Sequence, residues 1–158
     1  MIQRIQSVYL LIAAIACIFL LFIPIGTFDT EQGRFVFKAF FIKDITAESG
    51  IVMTTFYIGI LLAINAIFSI IAIFYYKNRA KQVRFAYINM FIFLITIALM
   101  LFVYPDYLIP NKFGIAKGAI DYNYWILLFM ILTAGGLFFA NKAIKKDEKM
   151  IKAADRLR

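Results

Sequence analysis

At 158 residues with a hydrophobic fraction of 64%, the chain carries far more apolar surface than a water-soluble domain can bury, since such domains use roughly 45–50% apolar residues. The formal charge of +8 comes from 17 Lys and Arg against 9 Asp and Glu, but these residues occupy short intervals between long neutral runs, a membrane pattern rather than a nucleic-acid one. One cysteine and no histidine exclude an internal disulfide, histidine metal ligands and a histidine general base.

The first neutral run, Ile5 to Phe28, predicts a spanning helix over 7–26, because about 20 apolar residues cross a hydrocarbon core. Arg4 followed by an apolar stretch resembles a signal peptide, and Ala14-Ile15-Ala16-Cys17 resembles a lipoprotein processing site. The apolar run continues past Cys17, so the helix is expected to stay uncleaved. An outer loop follows over 27–50. Its turn cluster Asp29-Thr30-Glu31-Gln32-Gly33 lies between β-formers, Gly26-Thr27-Phe28 before and Arg34 to Lys38 after, so a short hairpin is expected. That loop is either a cap in the headgroup region or a docking surface for a partner. Asp44 and Glu48 would lie one turn apart if their stretch were helical, a common spacing that gives enzyme activity no positive support but makes the pair its simplest mutational test.

The second span is expected over 51–75. Asn65 and Ser69 share one face of it, as interhelical hydrogen-bond partners or as a ligand contact, and Gly59 with Ala63 forms a small-residue pair suited to helix packing. A basic connection with Lys77, Arg79, Lys81 and Arg84 leads to the third span, 86–104. The second outer loop, 105–121, contains Pro105, Pro110 and Gly114 among apolar residues and is expected to pack on the first. The fourth span, 122–140, has a bare patch at Gly135 and Gly136, for packing within the chain or against another helix. The tail, 141–158, is Lys-rich and continues this helix, with a Glu148–Lys152 pair at i,i+4 and an attraction to anionic lipid headgroups. It lacks base-stacking aromatics, so nucleic acid is disfavoured as a partner.

Twelve of the 17 basic residues flank the spans at the N-terminus, the middle connection and the tail. Basic flanks face the cytoplasm, so both termini are expected inside. The expected fold is therefore an all-α membrane protein: a four-helix bundle, a small extracytoplasmic cap with a possible hairpin, and a cytoplasmic helical extension. No Asp, Glu, Lys, Arg or His lies in any neutral run, which argues against ion-coupled transport. No nucleophile–base pair, metal cluster or phosphate loop appears, so no catalytic residue and no cofactor are assigned.

The start, Met1-Ile2-Gln3-Arg4-Ile5-Gln6-Ser7-Val8-Tyr9-Leu10-Leu11, and the end, Lys146-Asp147-Glu148-Lys149 with Ala153-Ala154-Asp155-Arg156-Leu157-Arg158, resemble those of a bacterial family of four-helix membrane proteins of unknown function. The resemblance runs over the whole length and implies an inner-membrane location, but no activity. With both ends on one side, Gln3, Arg4 and Gln6 are placed to meet Asp155, Arg156 and Arg158 in a polar cluster that clamps the first and fourth helices or seats a partner. The functional expectation is a non-enzymatic accessory or scaffold subunit of a membrane assembly, in protein translocation or envelope biogenesis, working with other membrane subunits. The alternative is a passive binder of a lipid or apolar molecule in an interhelical groove.

Overall fold

The computed structural model describes residues 2–31, 33–45, 50–116 and 118–156. Four helices in it are long and apolar enough to cross a membrane, over Ile5–Phe22, Phe56–Phe74, Lys81–Phe113 and Tyr124–Met150. In chain order the elements are α1 (Ile2–Phe22), β1 (Gly26–Thr30), β2 (Gly33–Phe37), β3 (Phe41–Asp44), β4 (Ile51–Thr54) and α2 (Phe56–Phe74). A 3₁₀ turn at Tyr75–Lys77 then leads to α3 (Arg79–Ala98), a π-helical segment (Leu99–Leu108), α4 (Ile109–Phe113), β5 (Asp121–Tyr122) and α5 (Tyr124–Arg156).

The all-α expectation is corrected here. A five-stranded antiparallel sheet, ordered β4-β3-β2-β1-β5, is built into the chain between the helices. It is no small cap. The hairpin around Asp29–Gly33 exists, with Gly26 opposite Phe37 and Thr30 opposite Gly33, but it supplies only two of the five strands. Residues 51–54, expected inside the second span, form β4 and pair with β3 across a register irregularity at Ile42/Lys43. Tyr122, expected to open the fourth span, belongs to β5 and pairs with Gly26. The physical reason is that Ile51-Val52-Met53 is as apolar as a helix start, and periodicity alone cannot separate a short apolar strand from a helix.

Neighbour pairs α1–α5, α1–α2, α2–α3 and α3–α5 close the bundle into a ring, with α1–α5 the most extensive contact. The sheet lies at one end of the ring and the described termini at the other. Outward faces are apolar: Ile5, Val8, Leu11, Ile15, Ile18 and Phe22 of α1 are all exposed. Polar side chains point inward instead, Asn65, Ser69, Asn89, Thr96 and Thr133 among them. That inside-out distribution suits a hydrocarbon surround.

One face of the sheet packs on the far end of the third helix. Phe28 and Phe35 stack at 5.4 Å, Phe113 meets both at 5.3 and 4.9 Å, and Phe37 stacks on Tyr104 at 5.8 Å. The third helical run therefore continues past Pro105 to Phe113, where the sequence reading placed a loop. Proline brings no N–H and its ring crowds the carbonyl four residues back, here Leu101. The chain answers by widening to a π-helix over Leu99–Leu108, and the Tyr122 hydroxyl donates to the Leu101 carbonyl at 3.2 Å. Tyr122→Phe removes that donor, and a loss of about 1 kcal/mol is expected, read as a melting midpoint in detergent lowered by about 2–4 °C.

Candidate functional site

Among the described residues, two regions carry the candidate features. The first is the polar interior of the bundle. Between α2 and α3 three rungs cross the interface: the Asn65 amide donates to the Thr96 hydroxyl at 3.4 Å, Asn89 to Ser69 at 2.8 Å, and Gln82 to the Ala72 carbonyl at 3.0 Å. Between α3 and α5 the Asn141 amide donates to the Ala86 carbonyl at 3.4 Å and points at the Met90 sulfur at 3.6 Å. Between α1 and α5 Gln6 donates to the buried Asp147 carboxylate and, at 3.3 Å, to the Ala143 carbonyl. Each such bond between membrane helices contributes on the order of 0.6 kcal/mol. Their joint effect is to fix helix rotation.

Asn65 and Ser69, one face of α2 in the sequence, thus take separate partners on α3. Gln6 meets α5 at Ala143 and Asp147. The side chains of Gln3, Arg4, Asp155, Arg156 and Lys152 lie outside the described residues, as do Arg158 and Glu48 entirely. Asp44 ends β3 opposite Phe35 and is buried, a strand position rather than a helical turn. Gln82 and Asn141 were not singled out from the sequence, because polar residues at the ends of apolar runs read as span boundaries. Asp147 entered the sequence analysis only as part of the closing motif Lys146 to Lys149, with no partner assigned.

The three glycines separate by role. Gly136 lies against α1, where a β-carbon would meet the Tyr9 carbonyl oxygen at 2.9 Å and the Ala13 β-carbon at 3.1 Å. Gly59 admits the β2–β3 loop instead of a helix: its N–H donates to the Ala39 carbonyl at 3.0 Å, and the Phe40 ring covers it. Gly135 would meet nothing within 4 Å. Cys17 faces the Thr133 hydroxyl at 4.0 Å and is free and buried.

The second region is an apolar cavity of about 400 Å³ between α2 and the π-helical segment, lined by Tyr57, Ile60, Leu61, Leu99, Tyr104 and Leu108. It opens sideways, since Tyr57, Ile60 and Leu108 are exposed. Beside it runs the edge strand β4, where Ile51 is 59% exposed and Val52 38%. Lys112 donates to the Val52 carbonyl at 2.8 Å, covering part of that edge, a common protection of unpaired strands. Among the described residues no group of three or more Cys, Asp or Glu is placed to hold a metal ion.

A search of curated proteins finds no match. The family assignment rests instead on a match spanning residues 2–157, and the chain belongs to the family described as a domain of unknown function, DUF4293.

Proposed function

We propose that this protein is a non-enzymatic subunit of a larger assembly in the bacterial inner membrane, with both termini cytoplasmic and the sheet as its extracytoplasmic docking element. The observation that carries the reading is the exposed apolar edge formed by Ile51 and Val52 of β4 with Phe56 and Tyr57 at the head of α2. These residues sit at the sheet end beside exposed Lys43 and Lys112, and clustered apolar side chains in polar surroundings mark contact surfaces. Because Lys112 already covers one edge carbonyl, a partner meets side chains more than an open hydrogen-bonding ladder. Basic residues at the opposite end support the orientation and a contact with anionic headgroups. Protein translocation or envelope biogenesis is the setting we favour.

A photo-crosslinking residue at Val52, followed by gentle detergent extraction and mass spectrometry, tests this. One protein adduct, absent when the probe sits at Arg34 on the sheet's exposed face, is the expected result. Adducts to lipid alone would contradict it. They would favour the second reading, a passive binder of a lipid or apolar molecule, which the 400 Å³ cavity supports.

A further inference from the structure

Four buried side-chain atoms have no hydrogen-bond partner among the described residues: the Oδ1 atoms of Asn65, Asn89, Asn141 and Asp147. All four residues are at least 95% buried, and every orphan is an acceptor, while the NH₂ groups of the three amides are all engaged. Turning any of these amides over would only exchange an unpartnered oxygen for an unpartnered NH₂, so the deficit does not depend on the rotamer.

Asn65, Asn89 and Asn141 are also linked in space across α2, α3 and α5, while Asp147 faces Gln6 of α1. Asn141 reaches Ala86 and Met90, the same turn of α3 that carries Asn89. Asn89 bonds Ser69, which lies one turn from Asn65 on α2. Asp147 lies six residues beyond Asn141 on α5, about 9 Å toward the terminal end. Toward the sheet the pattern stops: Ile58, Leu62, Met100 and Phe37 fill the core, and Cys17 and Thr133 find partners within the protein.

We infer that the terminal half of the bundle binds a blind-ended file of water molecules, entering beside Asp147 and ending at Asn65. Water fits the chemistry because it supplies donors where only acceptors are left over, and buried water typically satisfies about three such groups. The sheet half of the bundle is dry and closed by aromatic packing. The terminal half is hydrated and held by single polar rungs.

Water-to-protein polarisation transfer, measured by solid-state NMR on the full chain in lipid bilayers, reads this out. Transfer to the Asn89 and Asn141 side chains is expected at about the rate seen for exposed Asn78, and several-fold faster than to Thr133. Rates as slow as that of Thr133 at all three buried asparagines would overturn the inference. Asn141→Leu is expected to slow transfer to Asn65 and Asn89 several-fold while leaving Asn78 unchanged; unaltered transfer would contradict entry from the terminal end. If that variant does not fold, the wild-type rates alone decide.

Discussion

Gly136→Ala is expected to destabilise the protein by about 1–3 kcal/mol, the usual cost of overpacking a tight contact. The added methyl meets the backbone of α1 at Tyr9 and Ala13, and backbone cannot swing aside as a side chain can. The two helices must separate along the most extensive interface of the bundle. Gly136→Leu is expected to prevent α1 and α5 from closing, seen as loss of a monodisperse species in detergent. Gly59→Ala is the internal comparison. There the obstacle is one edge of the Phe40 ring, closer still but carried by a half-exposed side chain that can rotate outward. That leaves the preference of about 1 kcal/mol for alanine over glycine in a helix, common to both positions, to offset the remaining cost. The Gly59 variant is therefore expected to melt close to wild type, and equal losses at both positions would refute the packing roles assigned here.

The second large effect is at the Gln6–Asp147 pair. Gln6→Leu leaves a buried carboxylate without its donor, and a loss of about 1.5–3 kcal/mol is expected, as for hydrogen bonds to charged groups. Replacing both partners, Gln6→Leu with Asp147→Leu, is expected to recover most of that loss, because a buried polar pair exchanged for apolar groups is often neutral. Asp147→Leu alone should be milder than Gln6→Leu, since the Gln6 amide retains the Ala143 carbonyl. A double-mutant cycle in thermal melts gives the coupling directly. Additive effects would show that the two side chains do not depend on each other.

The helices were legible because their evidence is redundant: each neutral run is long, and one misplaced residue changes nothing. The hairpin was legible from Asp29 to Gly33, whose turn chemistry is local. The sheet as a whole was not. β4 is three apolar residues and Thr54, one residue away from an apolar helix, and β5 is two residues whose strand character comes only from pairing with Gly26 and Thr27. Pro105 announces a break, yet tertiary packing of Phe113 on Phe28 and Phe35 holds the helix together and converts the break into π-helical turns. In the interior, Asn65 was visible as an oddity in an apolar run. Its partner Thr96 lies 31 residues away, and no local signal pairs them. Asp147 could have been found by asking which polar residue on α1, at matching depth, needed a donor or acceptor.

The most direct test of the account is which side of the membrane each end of the bundle faces. With Cys17 replaced by alanine, single cysteines at Glu31, in the β1–β2 turn, and at Lys149, on the exposed tail of α5, would be treated with a membrane-impermeant maleimide on intact cells. Labelling of Glu31→Cys in intact cells, with Lys149→Cys protected until the membrane is opened, is the outcome required by four crossings with sheet and tail on opposite faces. Labelling of Lys149→Cys from outside, or equal protection of both, would contradict it.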